Sequence, residues 1–144
     1  MKLTSIVISL MAPFSFASAA TTWKITYNNK YDYKDTPLSA ITCHETLSNL
    51  GFNGSFKNLT NWPNIGGSKV VADSKSPKCG SCWKLIFDPE RLPINVIALD
   101  TADKDFVISV EAMNTLTNGH ATQYVTIDAS TAVEVNRAYC GLPA

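Results

Sequence analysis

Apolar and polar positions alternate in short runs along most of this chain, and turn residues break the runs every few positions. Residues 23–27, Trp-Lys-Ile-Thr-Tyr, set apolar against polar side chains with a period of two, which predicts a half-buried strand. Residues 28–37 are rich in Asn, Asp and a closing Pro, so a loop is expected there, carrying Tyr31 and Tyr33. Those two rings suit packing over a barrel mouth or contact with a ligand. Leu47 and Leu50 give residues 39–56 a modest helical spacing that Gly51 and Gly54 interrupt, and little regular structure is expected. Residues 62–67, Trp-Pro-Asn-Ile-Gly-Gly, predict a buried tight turn, followed by a short strand at residues 69–72. A strand there disfavours a phosphate cradle, which needs a following helix N-terminus.

Residues 79–100 organise the rest. Cys79-Gly-Ser-Cys82 leads into a predicted strand at residues 83–87, a turn carrying Pro89 and Pro93, and a continuous apolar strand at residues 94–99 that ends on Asp100. A turn at residues 103–105 and a strand at 106–110 follow. Ala112, Met113 and Leu116 then share a face at helical spacing, and Gly119 stands where a helix stops. Residues 124–128 read as the last clear strand, before Ala- and Thr-rich sequence and Cys140-Gly141. Many short strands, Gly- and Pro-containing turns and one or two short helices predict a mainly β, closed barrel.

The chain begins differently. Lys2, an apolar centre through residue 16 and the small residues Ala17-Ser18-Ala19 predict a secretory signal peptide over residues 1–19, leaving one domain at 20–144. That apolar stretch is shorter than the roughly 20 residues a membrane span needs. The 144 residues hold 12 basic and 12 acidic side chains, and losing Lys2 leaves one acid in excess. A chain so balanced lacks the positive field that nucleic acid or an anionic membrane requires, and a neutral partner is expected. Four cysteines in an exported chain imply two disulfides, for which three pairings exist.

A redox Cys-x-x-Cys opens a helix, whereas Trp83 to Phe87 reads as strand, so structural bridges are expected. A zinc site would need a repeated Cys pair or closely spaced histidines, and His44 and His120 are far apart, so no metal and no cofactor are expected. No Gly-x-Ser-x-Gly elbow surrounds a serine. Glycoside hydrolysis needs two carboxylates about 5 Å apart, or about 6.5 to 9.5 Å. Asp32, Asp100, Glu111 and Asp128 qualify by residue type, and Asp100 stands out because it ends an apolar strand. Its alternatives are hydrogen bonding to turn amides or binding a ligand. Asn53-Gly-Ser and Asn58-Leu-Thr are glycosylation sequons.

Taken together, Ile-Thr-Tyr with Tyr31-Asp32, Pro63-Asn-Ile-Gly-Gly67, Cys79-Gly-Ser-Cys-Trp83, Ile94-Asn-Val96 with Ala98-Leu-Asp100, and Ala112-Met-Asn-Thr-Leu-Thr-Asn-Gly119 resemble the cerato-platanin family over almost all of the mature chain. The resemblance implies a six-stranded double-ψ β-barrel, similar to the first domain of expansins, with bridges Cys43 to Cys79 and Cys82 to Cys140. It also implies a secreted, non-enzymatic fungal protein of the cell wall that binds chitin or N-acetylglucosamine oligomers in a shallow groove. Loosening of cellulose without hydrolysis, elicitation of plant defence through a host surface receptor, and self-assembly at interfaces belong to the same picture. The family aspartate maps onto Asp100, and motif position places Tyr27, Asp32, Ser76, Asn114 and Asn118 around the groove. Two other functions fit the composition: a minimal endoglucanase-like hydrolase using Asp100 and Asp32, and a surface-active film former.

Overall fold

The structure, a computed structural model, describes residues 8–13 and 21–144. The signal-peptide reading of residues 1–19 falls largely outside the described residues. Among the described residues there are seven strands: β1 Trp23–Tyr27, β2 Ile65–Ser68, β3 Ser81–Ile86, β4 Ile94–Thr101, β5 Phe106–Ile108, β6 Thr126–Ala129 and β7 Thr131–Val135. They form one sheet in the order β6-β1-β5-β2-β4-β3-β7. β1 with β5 and β2 with β4 are parallel, and the other four pairings are antiparallel.

The two ends of that order, β6 and β7, are separated in sequence by Ser130 alone. Ser130 donates to the Ile86 carbonyl oxygen from both its amide (3.0 Å) and its hydroxyl (3.1 Å), so the bend itself is held against β3. One bent run, residues 126–135, therefore pairs with β1 along its first half and β3 along its second, and the ring nearly closes. Counted as one stave it completes the six expected for a double-ψ barrel; counted as two it makes seven strands. Closure matters because it leaves few unpaired backbone groups to template aggregation.

The apolar run of β4 is buried at Ile94, Val96, Ile97, Ala98 and Leu99 because β2 and β3 cover both its edges and the barrel covers its faces. Trp83 packs edge-on to Phe106 with centroids 5.4 Å apart, and Trp23 lies 6.3 Å from each ring. The Trp83 indole nitrogen donates to Ser81 Oγ at 2.8 Å, so the buried ring leaves no donor unpaired. Both bridges are formed, Cys43 to Cys79 and Cys82 to Cys140. Gly80, at φ +74°, takes the left-handed turn that sends the two neighbouring cysteines to different partners.

The local elements differ from the sequence expectation in several places. The strand expected at residues 69–72 lies instead on Ile65–Ser68, inside the stretch read as a tight turn. Gly66 and Gly67 are there because β4 and β5 pass too close for side chains: a Cβ on Gly66 would sit 2.9 Å from Ile108 Cα. Residues 44–49 form a short helix, α1 His44–Asn49, stabilised by burial of Leu47 and by the adjacent bridge at Cys43. β5 stops at Ile108 because Ser109 caps α2, Val110–Thr117: its Oγ accepts from Ala112 N at 2.9 Å and donates to the Pro63 carbonyl at 2.7 Å. Tyr124 ends a helical turn, α3 Ala121–Tyr124, rather than opening a strand. The chain changes direction at Val125, held at φ +51° while its carbonyl accepts from Thr26 Oγ1 at 2.7 Å. β7 occupies the Ala- and Thr-rich stretch that follows the last strand clear from the sequence.

Candidate functional site

Asp100 is where the sequence concentrates its unexplained charge, and β4 delivers it through an irregularity. Gly66 pairs with Ala98 but Gly67 with Asp100, so Leu99 is an extra residue on β4, and such a bulge re-aims the side chain that follows. The Asp100 carboxylate then meets donors from three segments. Lys30 Nζ lies 2.8 Å and Tyr31 Oη 3.2 Å from Oδ2, both carried by the 3₁₀ turn Asn29–Asp32. Thr42 approaches Oδ1 with its amide at 3.1 Å and its hydroxyl at 2.6 Å, and the Thr101 amide adds a third donor at 3.1 Å. Thr42 is fixed by its neighbour Cys43, whose amide donates to the Leu99 carbonyl at 3.1 Å and whose sulfur is bridged to Cys79.

Asp100 is only 7% exposed, and burial works against its charge. The Lys30 ammonium and the Thr42 hydroxyl and amide outweigh that penalty and hold the carboxyl below the usual carboxylate range. Tyr31 responds in the opposite sense: burial first, then the adjacent Asp100 charge and hydrogen bond, push its phenol far above the ordinary tyrosine range. Lys30 Nζ also stands 4.8 Å over the Tyr31 ring, a cation–π contact. The result is an ionised carboxylate with its oxygens already engaged. A general acid needs the reverse, a carboxyl kept protonated by a raised pKa.

Asp32 follows Tyr31 in the chain but serves another structure. Its oxygens accept from Val110 N at 2.8 Å and Glu111 N at 3.1 Å, the exposed donors at the start of α2. One turn further along α2, Asn114 Oδ1 accepts from Ala121 N at 3.1 Å and so fixes α3 against α2. Asn118 closes α2 in the left-handed conformation at φ +57° and is exposed. Tyr27 is half-buried at the end of β1, in register with Ile108. Ser76 belongs to the segment before Cys79, where its hydroxyl accepts from Lys78 N at 3.2 Å and donates to the Val70 carbonyl at 3.4 Å. The structure thus gathers Asp32, Asn114 and Asn118 along α2, gathers Asp100 with Lys30, Tyr31 and Thr42, and joins Ser76 to neither group by a hydrogen bond among the described residues.

Two hollows flank Lys30 and Tyr31. One, of about 130 Å³, is lined by Tyr33, Ile41, Phe56 and Asp100 as well as by that pair. The other, of about 260 Å³, adds Asn28, Thr101, Asp103 and Lys104. Lys30 and Thr42 are the residues that sequence reasoning did not single out. Nothing in their neighbourhoods marks them, because the partner they share lies 70 and 58 positions away. Asn53 and Asn58 are both exposed on the segment between α1 and β2. Asn58 Oδ1 is taken up by the Ser55 amide at 2.9 Å, whereas Asn53 Oδ1 accepts from Ser48 Oγ at 3.0 Å. Among the described residues no cluster of three or more His, Cys, Asp or Glu side chains could hold a metal ion, and no helix is long and apolar enough to cross a membrane.

Comparison with known proteins places these features in a family. The family model described as Cerato-platanin matches residues 22–142. A heat-stable 19 kDa antigen of Coccidioides posadasii is 32% identical, the alignment covering 97% of this chain and 96% of that protein. The crystal structure of cerato-platanin 2 from M. perniciosa superposes with a TM-score of 0.77 at 31% identity, over 85% of this chain and all (100%) of that one. The solution structure of the fungal elicitor Cerato-Platanin matches in fold, with a TM-score of 0.63 at 23% identity over 81% of this chain and 95% of that one. None of these descriptions names a catalytic activity.

Proposed function

Because the chain belongs to the cerato-platanin family, we propose that it is a secreted, non-catalytic protein that binds chitin and N-acetylglucosamine oligomers. On this reading it acts at the cell wall, loosens polysaccharide in the manner of an expansin, and is perceived by plant hosts as an elicitor. The observation that carries the reading is the state of Asp100. An ionised carboxylate held by Lys30, Tyr31, Thr42 and Thr101 lines one shallow hollow and fixes the Lys30–Tyr31 pair that borders a second. The polar lining of those hollows, Asn28, Lys30, Tyr33, Asp103 and Lys104, suits a sugar's hydroxyls, and the engaged carboxylate withholds the proton that glycoside cleavage needs. Asp32, the other carboxylate a hydrolase would require, has its oxygens turned to the α2 amides. The description of one structural neighbour as a fungal elicitor supports the last part of the reading.

Chitin oligomers titrated into isotope-labelled protein are expected to shift the amide signals of Lys30, Tyr31, Thr42 and Thr101. Absence of any shift at millimolar oligomer would sink the proposal. Sustained release of reducing ends, abolished by Asp100→Asn, would replace it with a hydrolase.

A further inference from the structure

We propose that the outer face of β3, β4 and β7 is a second saccharide-binding surface, on which Tyr139 receives the flat face of a neutral pyranose ring. This rests on the reading that the chain binds wall saccharides and places a contact away from the Asp100 rim. Lys84, Pro93, Asn95, Val135 and Tyr139 line a hollow of about 280 Å³ on that face. Lys84 lies in register with Asn95 on one side and Val133 on the other, so the floor is continuous sheet.

Tyr139 is 68% exposed yet rigidly mounted. It belongs to the 3₁₀ turn Arg137–Cys140, which the Cys82–Cys140 bridge fastens to β3. Asn136 Oδ1 caps that turn by accepting from Ala138 N at 2.9 Å, and Arg137 Nη2 donates to the Cys79 carbonyl at 3.2 Å. A ring displayed on a fixed mount loses little conformational freedom on binding.

The polar groups of the hollow differ from those at Asp100. The Lys84 ammonium, the Asn95 carboxamide and the Tyr139 hydroxyl make no hydrogen bond or ion pair among the described residues, and no carboxylate lines the hollow. An apolar ring beside uncommitted donors and acceptors matches a ligand with a C–H face and a hydroxyl or acetamido edge. Sugars offer both, whereas an aliphatic chain offers only the first. Asn95 and Asp100 share β4 five residues apart, so roughly 16 Å of strand separates the two surfaces.

Titration of soluble N-acetylglucosamine oligomers into the labelled chain, with retention on insoluble chitin measured in parallel, tests this. Shifts are expected at Lys84, Asn95 and Tyr139 as a set distinct from those near Asp100. Tyr139→Ala should remove that set and weaken retention about five-fold, the scale of one lost aromatic contact, while Tyr139→Phe, which loses only the hydroxyl, keeps the set and most of the retention. Lys84→Gln, a separate change on the hollow floor, should weaken the same set. Shifts confined to the Asp100 region and indifferent to Tyr139→Ala would overturn the second surface and leave the proposed function standing. Shifts nowhere would overturn both.

Discussion

The carboxylate of Asp32 and the amide of Val110 meet at 2.8 Å across 78 positions of chain, and the adjoining Glu111 amide lies 3.1 Å from the other oxygen. A side chain from the turn after β1 thereby supplies the charge that the start of α2 favours, in addition to the local cap at Ser109. Asp32→Ala is expected to cost about 1 to 2 kcal/mol, the usual worth of a charged cap. For a domain of this size that lowers Tm by about 3 to 8 °C. Asp32→Asn, which keeps an acceptor without the charge, should fall between. A thermal melt of the alanine variant that overlays wild type would show that the cap contributes nothing.

Acid should weaken the fold through two carboxylates. Asp100 and Asp105 are each opposed by burial, and each is nevertheless held below the ordinary range: Asp100 by Lys30 and Thr42, Asp105 by Lys69 and the Lys24 amide. A depressed folded-state pKa means that the unfolded chain takes up protons first as pH falls. Stability from this source is complete above the unfolded value, about 3.9, and is lost as pH drops through the folded value. Tm should therefore be level between about pH 5 and 7 with respect to these groups and decline below about pH 4. Both lysines are more than half exposed, at 52% and 58%, so each pair contributes on the order of 1 kcal/mol or less. Melts recorded down the pH scale should show a shallower acid slope for Asp105→Asn than for wild type; identical slopes would exclude this origin.

Gly67 ties the backbone of β2 to the site. A Cβ there would stand 2.8 Å from Tyr31 Oη and 2.9 Å from the Thr101 carbonyl, both closer than real side chains allow. Gly67→Ala must displace Tyr31 or part β2 from β4, at a cost of about 1 to 3 kcal/mol from overpacking. The Tyr31 hydroxyl should also lose its contact with Asp100, which ultraviolet titration of the phenol would report as a fall toward the ordinary tyrosine range. Retention of wild-type Tm and tyrosine titration together would contradict the close approach.

How far the sequence could be read follows from which interactions are local. Alternation at residues 23–27 and the apolar run of residues 94–99 announce β1 and β4 because strand burial is written in neighbouring side chains. α2 is equally plain, with Ala112, Met113 and Leu116 on one face. β2 was hidden because glycines normally signal a turn, and only the crowding of β4 and β5 makes them strand residues. The turn at Val125 was hidden too, since a β-branched residue at positive φ is held by contacts from β1 that sequence does not display. The same limit applies to the site. Asp100 stood out at the end of an apolar run, but its donors Lys30 and Thr42 are legible only once the barrel brings three segments together.

Lys30 separates the two hollows and fills one lone pair of Asp100, so its removal should change both the charge and the shape of the rim. In Lys30→Met the apolar stem persists while the ammonium is lost. Burial then acts on Asp100 without its principal opposing charge, and the carboxyl pKa should rise toward the ordinary value. Among the described residues Oδ2 then keeps the Tyr31 hydroxyl alone as a donor, at 3.2 Å, and gains room for a sugar hydroxyl. Saccharide affinity at this rim is therefore expected to increase, while the stability loss stays near 1 kcal/mol because the Lys30 side chain is 52% exposed. Carbon-13 titration of the Asp100 carboxyl, run beside an oligomer titration, checks both halves. An unchanged carboxyl midpoint would mean that Thr42 and Thr101 alone hold the charge, and unchanged or weaker affinity would mean that Lys30 contacts the sugar rather than competing with it.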